Sequence, residues 1–158
     1  MEAISSLRLL LDRVPERLMR LSADAVDKKP SPANWSAQEE LGHLLDSAAN
    51  NHQRIVRGQL EEKPAMAGDQ QNDWVRVHGY HEREWKELIE LWKALNRQLL
   101  AAAEAVPTAA WTRSLTIAGS DPLTLQFVFE DYLAHMVHQL QHIGIAVDDI
   151  KLKTPTAA

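Results

Sequence analysis

Apolar residues recur along most of this chain at spacings of three and four positions, and no strand-length run alternates apolar with polar residues. That periodicity is typical of amphipathic helices. It predicts four helices, over about residues 3–21, 36–60, 73–105 and 122–150. The apolar stripe of the first helix comprises Leu7, Leu10, Leu11, Val14, Leu18 and Leu21. We therefore expect an all-α fold, and helices of these lengths favour a four-helix bundle.

The connections between these helices are marked by proline, glycine and capping residues. The prolines of residues 28–35 indicate a loop, and Ser36 then opens a capping box with Glu39 at its third helical position. Polar residues with one proline and one glycine indicate a connection over 61–72. Residues 106–121 follow no period, so we expect an irregular segment there.

The start of the last helix and the extent of the domain can also be predicted. Asp121 followed by Pro122 is typical of an N-cap and the first helical position. The chain has 158 residues and 45% hydrophobic content, which suits a single domain. We place that domain at 1–150 and expect 151–158 to be a disordered tail.

Charge and cysteine content exclude several classes of function. Seventeen Lys and Arg against 22 Asp and Glu give a net charge of −5, which disfavours binding to nucleic acid or to an anionic membrane. The absence of cysteine excludes disulfides, metal sites with cysteine ligands and cysteine nucleophiles. Neither a targeting segment nor a long apolar stretch is visible. We therefore expect a cytoplasmic protein.

The segment HMVHQLQH, residues 135–142, holds three histidines in the predicted fourth helix. At 100° per residue, His135, His138 and His142 lie within about 60° of one another, and Asp131 lies close to the same stripe. Val128 on this face indicates that it points at least partly inward. Buried imidazoles need hydrogen-bond partners or a metal.

The second helix carries a complementary polar stripe. His43, Asp46 and Asn50 share one face beside apolar neighbours. If the two stripes meet in the bundle, two or three imidazoles with an open position would suit a divalent metal such as zinc, nickel or iron. The competing interpretation is a metal-free core in which the histidines hydrogen-bond to one another.

The remaining histidines and the tryptophans of the predicted third helix have simpler explanations. His52, His78 and His81 are each isolated on an amphipathic pattern, which is typical of boundary residues. Large aromatic side chains at helical spacing are typical of a core or of a dimer interface, and the sequence does not decide between these two. The tryptophans concerned are Trp74, Trp85 and Trp92.

Two stretches carry a resemblance to a known family. NWSAQEELGHLLDSAANNHQR (34–54) and YLAHMVHQLQHI (132–143) resemble the second and fourth helices of the DinB superfamily, especially its YfiT-like thiol-transferase branch. The resemblance implies a four-helix bundle in up-down-down-up order that is often dimeric. It also implies a divalent metal, commonly zinc or nickel, held by one histidine of the second helix and two of the fourth.

Carried over position by position, the ligands fall on His43, His135 and Gln139. Gln139 departs from the pattern, because an amide oxygen is a weaker ligand than imidazole. His138 is an alternative third ligand beside His135. In a second alternative, His138 and His142 form the ligand pair, which shifts the metal by about 4.5 Å along the helix axis.

The resemblance implies chemistry on a small-molecule substrate. In one version, a low-molecular-weight thiol bound as thiolate at the metal attacks an electrophilic small molecule. In another, a small ester or amide is hydrolysed. Asp46 and Asp131 are the candidate catalytic residues, either orienting an imidazole or acting as a general base. The substitution at Gln139 leaves a third version open, a metal-free binding or stress-associated module without catalysis.

Overall fold

Four long helices and two short ones dominate the computed structural model, which describes residues 2–149. In chain order the helices are α1 (Glu2–Met19), α2 (Ala23–Asp27), α3 (Ala37–Leu60), α4 (Gln71–His78), α5 (Trp85–Glu104) and α6 (Leu125–His142). The central helix α3 packs against α5 and α6, and α1 packs against α5. The prediction of a mainly helical bundle is confirmed.

The core lies between these long helices and is built from the residues that the periodicity indicated. Trp92 and Leu99 of α5 are completely buried, and Phe129 of α6 is 1% exposed. Trp85 is partly buried and its indole nitrogen donates to the Leu18 carbonyl at 3.0 Å. Trp74, in contrast, is 39% exposed, so the tryptophans do not form one aromatic cluster.

The start of α3 is fixed by local chemistry. Ser36 Oγ accepts a hydrogen bond from the Glu39 backbone N–H at 3.3 Å, and the Ser36 backbone N–H donates to Glu39 Oε2 at 2.9 Å. This is the predicted capping box, and it satisfies two backbone donors that a helix start would otherwise leave unpaired. The helix extends over Ala37–Leu60, so its predicted start and end are confirmed.

The single third helix predicted over 73–105 is wrong. The chain forms α4 as far as His78, turns at Gly79 and resumes helix only at Trp85. Gly79 has a φ of 59°, a left-handed conformation in which glycine carries no penalty, and it caps α4. The intervening residues form a short 3₁₀ turn, Tyr80–Glu82. Helical spacing of the tryptophans on both sides concealed this break.

The fourth helix, predicted over 122–150, is shorter than predicted at both ends. Thr124, not Asp121, is the N-cap, and its side chain accepts from the Phe127 backbone N–H at 3.1 Å. Pro122 precedes the helix instead of occupying its first turn. The helix ends at His142, and Gly144 follows in a left-handed conformation with φ 87°. Residues 150–158, which include the predicted tail, lie outside the described residues.

A small three-stranded sheet was not predicted. Strand β1 (Ala65–Met66) pairs in parallel with β2 (Ser114–Ile117), which pairs antiparallel with β3 (Leu123–Thr124). Strands of two to four residues are too short to show an alternating pattern. The sheet joins the connection after α3 to the segment that leads into α6. No helix within residues 2–149 has the length and hydropathy of a membrane span.

Candidate functional site

The two polar stripes do meet, at a contact between His43 of α3 and His135 of α6. Their Nε2 atoms are 3.1 Å apart, and their rings lie edge to face with centroids 4.9 Å apart. His43 is 5% exposed and also packs against the Trp35 ring. Two imidazoles from different helices therefore point their ring nitrogens at one place.

Gln139 joins this pair. It lies one turn after His135 on α6, and its Nε2 is 3.3 Å from His135 Nε2. The Oε1 of the same amide is buried and has no hydrogen-bond partner among residues 2–149. A half-turn of the amide about its last bond exchanges the two atoms, which would direct the oxygen toward the imidazoles.

Burial keeps both imidazoles neutral. Removal from water, together with the neighbouring His135, lowers the pKa of His43 to about 4. Burial also lowers the pKa of His135, against an opposing effect of the Asp131 charge. At neutral pH both rings therefore have a lone pair available, the form in which imidazole binds metals.

The geometry of this pair fits a divalent metal. Two nitrogens bound tetrahedrally to zinc at about 2.05 Å would be about 3.3 Å apart, close to the observed 3.1 Å. Within residues 2–149, however, no three His, Cys, Asp or Glu side chains are grouped as a metal site. The available set is thus two imidazoles and the Gln139 amide, a weaker set than three imidazoles.

His138 and His142 lie elsewhere. Their rings contact each other, with centroids 4.3 Å apart, and His138 is exposed. The His142 side chain is 52% exposed, and its Nδ1 is 3.9 Å from Glu40 Oε1. The structure thus brings His43, His135 and Gln139 together and places His138 and His142 at the surface of the helix pair.

Asp46 has partners other than the expected ones. Its Oδ1 accepts a hydrogen bond from the Tyr80 hydroxyl at 2.6 Å and lies 3.0 Å from His78 Nδ1. Burial raises the pKa of Asp46, against the opposing effects of Tyr80 and His78. The imidazole that Asp46 contacts is therefore that of His78, a residue predicted to be only a boundary histidine. No sequence pattern links Tyr80 to this carboxylate.

The close approach of the Tyr80 ring to α3 depends on Gly42, the residue before His43. A Cβ at position 42 would lie 2.1 Å from the Tyr80 ring, far inside contact distance. The absence of a side chain therefore lets Tyr80 lie directly on α3 and reach Asp46.

A cavity of about 200 Å³ opens beside the histidine pair. Asp131 is exposed at its edge, one turn before His135. Phe127 and Val128 give the cavity an apolar wall, and Arg54 of α3 gives it a cationic one. The position of Asp131 agrees with its predicted place near the histidine stripe.

Arg54 and Asp69 are cavity residues that the sequence analysis did not single out as functional. Arg54 Nη2 donates to Asp69 Oδ2 at 3.2 Å, and Asn50 Nδ2 donates to Asp69 Oδ1 at 2.8 Å. The Asn50 of the predicted stripe therefore serves Asp69 and not the histidines. A usable signal was present for Arg54, because it lies eleven residues after His43, which is close to three full helical turns.

Comparison with known proteins agrees with this fold. A family model of the DinB superfamily matches residues 6–145. The solved structure of YfiT from Bacillus subtilis, described as a probable metal-dependent hydrolase with an unusual four-helix bundle topology, is 17% identical. It matches with a TM-score of 0.67 over 90% of this chain and 89% of that one. No curated protein sequence matches the chain.

A mycothiol-dependent maleylpyruvate isomerase is also similar in structure. Its H52A mutant matches with a TM-score of 0.75 at 13% identity, over 95% of this chain. A second structure of that isomerase matches with a TM-score of 0.69 at 13% identity, over 90% of this chain and 58% of that one. The present chain spans 63% of the length of the H52A chain. At these identities the likeness concerns the fold.

Proposed function

Since the chain belongs to the DinB superfamily, we propose that it is a divalent-metal-dependent enzyme that acts on a small molecule. The observation that carries the proposal is the His43–His135 pair, whose Nε2 atoms are 3.1 Å apart beside a cavity. Both rings are neutral at physiological pH because burial lowers their pKa values. Zinc and nickel are the metals that suit such donors.

The third donor would come from α6. Gln139 supplies an amide oxygen from one turn after His135. Asp131, one turn before His135, is the residue that we assign as general base, since it lies at the edge of the same cavity. We leave His138 and His142 out of this ligand set because their rings pair with each other at the surface.

Asp46 would act as a positioning residue. Its Oδ2 and the Nδ1 of His43 are both buried, both lack a hydrogen-bond partner among residues 2–149, and both belong to the same turn of α3. A carboxylate that accepts the outer N–H of a ligating imidazole fixes the ring and raises its basicity. Tyr80 and His78 contact the other carboxylate oxygen, Oδ1, and these contacts would keep the Asp46 side chain in place.

The reaction that we favour is a substitution in which the sulfur of a low-molecular-weight thiol gives up its proton and forms a bond to the electrophilic carbon of a small molecule, while the leaving group departs from that carbon with the bonding electrons. When bound, a divalent metal supplies Lewis acidity that lowers the pKa of a thiol or a water toward neutrality. The chain itself holds the imidazoles in place, keeps the apolar side of the substrate against Phe127 and Val128, and offers Asp131 to accept a proton. The dependence of a structural neighbour on mycothiol supports this choice.

Hydrolysis of a small ester or amide is the second candidate. It is supported by Asp131, because a carboxylate at the edge of an open cavity is suited to remove a proton from water. The description of YfiT as a probable metal-dependent hydrolase supports the same choice.

The first test is metal content by mass spectrometry, for tag-free protein as purified and after loading with zinc or nickel. We expect about one metal per chain, lost in His43→Ala and reduced in Gln139→Ala. His142→Ala is the matched control and should keep its metal. Asp46→Asn should lower affinity by about ten- to a hundredfold if it positions His43.

Turnover then separates the two reactions. Thiol transfer predicts consumption of a small thiol with 1-chloro-2,4-dinitrobenzene, whereas hydrolysis predicts release of nitrophenolate from an activated ester without any thiol. A protein that binds neither zinc nor nickel would contradict both and would favour the metal-free module.

A further inference from the structure

We propose that Arg54 recognises a carboxylate of the substrate and that Asp69 occupies its place in the ligand-free protein. This proposal rests on the proposed function only in that it concerns the same cavity. It assigns the substrate class: a small molecule that carries a carboxylate several bonds away from its reacting group.

Arg54 is a buried cation in a cavity wall. Its side chain is 10% exposed, yet it lines the same cavity as His43 and His135. Arg54 Nη1 donates to Asn51 Oδ1 at 3.3 Å, so the guanidinium turns back along α3 toward His43. Asn51 lies about 12 Å along the helix axis from His43, at 1.5 Å per residue. A carboxylate at Arg54 would therefore leave the rest of a small molecule directed to the histidine pair.

The contacts that Arg54 makes are weak for so buried a charge. A charge-assisted hydrogen bond between guanidinium and carboxylate is normally about 2.7–2.9 Å long. The Arg54–Asp69 contact is 3.2 Å and involves only one nitrogen of the guanidinium. Arginine has five N–H donors in a plane that matches the two oxygens of a carboxylate, and residues 2–149 supply two acceptors for them.

Asp69 is placed as a replaceable partner. It belongs to the connection between β1 and α4, and its side chain is 31% exposed. Asn50 holds its other oxygen at 2.8 Å, so the carboxylate retains a partner when Arg54 binds another anion. Burying a charge lowers the stability of the fold unless an opposite charge or hydrogen bonds offset the loss of water. Asp69 thus neutralises Arg54 until a substrate carboxylate takes over that role.

Among residues 2–149, the other charged residue facing the cavity is Asp131. With Asp69, it gives the metal-free cavity two carboxylates against one guanidinium, so anions should bind weakly to the unmodified chain. Removing the Asp69 charge should therefore strengthen anion binding, a gain that damage to the fold does not produce.

The test compares two probes of the same shape, 4-fluorobenzoate and 4-fluorobenzamide, by ¹⁹F nuclear magnetic resonance. Metal-free protein is used after the chelator has been dialysed away, in a buffer without carboxylate or phosphate. In Asp69→Asn we expect the carboxylate to bind about tenfold more tightly than in the unmodified chain, as for one charge-assisted bond, with the amide unchanged. Arg54→Gln should remove the preference for the carboxylate, and Arg54→Lys should retain only part of it.

Arg57→Gln is the matched control, because Arg57 is one turn further along α3 and pairs with Glu61 at the surface. It removes the same charge without touching the cavity and should bind both probes like the unmodified chain. The proposal is overturned if Asp69→Asn gains no affinity for the carboxylate, or if a folded Arg54→Gln protein still prefers it. Because the readout needs neither metal nor turnover, it is independent of the metal proposal.

Discussion

Two histidine pairs lie near the contact between α3 and α6, and they differ in how far they are exposed to solvent. His43 and His135 come from different helices, and His43 is 5% exposed. His138 and His142 come from successive turns of one helix, with the His142 side chain 52% exposed. The rings of each pair are in contact, at centroid distances of 4.9 Å and 4.3 Å. Proximity of two imidazoles is therefore not sufficient to make a site; the facing helix and the loss of water decide their chemistry.

The largest expected difference between the two pairs is in metal affinity. Loss of a residue that binds the metal directly should lower metal affinity by more than the roughly ten- to hundredfold that is typical of residues that only orient a ligand. We expect His135→Ala to lower zinc affinity at least about a hundredfold, and His142→Ala to change it by less than about twofold. Competition with a chromogenic chelator measures both. Equal losses in the two variants would contradict the assignment of the site.

The pH dependence of stability should also distinguish the surroundings of the two pairs, through His43 in the buried pair and Glu40 beside His142 in the exposed pair. Burial lowers the pKa of His43 to about 4, so the unfolded chain takes up that proton first and stability falls as pH drops from about 6.5 toward 4. Burial, with a smaller effect of Glu39, raises the pKa of Glu40 to about 7. The folded chain then takes up that proton first, which adds stability as pH drops from about 7 toward 4.5.

In metal-free protein, removing one of these two titrating groups should therefore reveal the effect of the other on the free energy of unfolding. Between pH 7 and 4.5 we expect Glu40→Gln to lose about 2 kcal/mol more unfolding free energy than the unmodified chain. His43→Leu should lose less than the unmodified chain. Urea unfolding at several pH values measures this, with exposed Glu16→Gln as the control. Parallel curves for all four proteins would show that these groups do not titrate as described.

A substitution at position 139 should strengthen the buried site. Gln139→His replaces an amide by the imidazole that the family pattern places there, and we expect zinc affinity to rise about tenfold. Gln141→His adds the same ring to an exposed position of the same helix and should have no effect. If both gain equally, the added histidine acts as a general surface ligand and not as the third member of the set.

The smallest effect is expected for the exposed pair itself. His138→Ala should change the free energy of unfolding by no more than about 0.5 kcal/mol, as for surface positions without buried partners. Thermal unfolding of metal-free protein measures it. A loss of several kcal/mol would mean that the surface pair contributes to the core more than its exposure indicates.

Sequence reasoning succeeded where the decisive interactions are local. The Ser36 capping box involves residues three positions apart, and the leucines of α1 bury the stripe that their spacing predicts. The break at Gly79 was missed because the apolar positions continue in helical register on both sides of it. A single glycine in such a pattern is compatible with a continuous helix, and only packing of Tyr80 on α3 decides otherwise.

The candidate site was predictable to the level of helix faces. Spacing grouped His135, His138 and His142, but one stripe of about 60° is wide enough to reach both the interior and the surface. Which member faces His43 depends on how α3 packs against α6, a contact between residues 92 positions apart. The position of Asp69 was not predictable either. The connection that carries it shows no hydrophobic periodicity from which the direction of its side chain could be inferred.

The parallel pairing of β1 with β2 has a consequence for partial unfolding. It joins Ala65 to Thr116 through a ladder of only two residue pairs. A segment held by so few backbone hydrogen bonds opens at a lower free energy than tightly packed helices do. Asp69 follows β1 by three residues, so opening of this segment would remove Asp69 from the cavity while α3 and α6 stay packed. In such a partly open state His43 and His135 would remain in contact, whereas the guanidinium of Arg54 would lack its counter-charge.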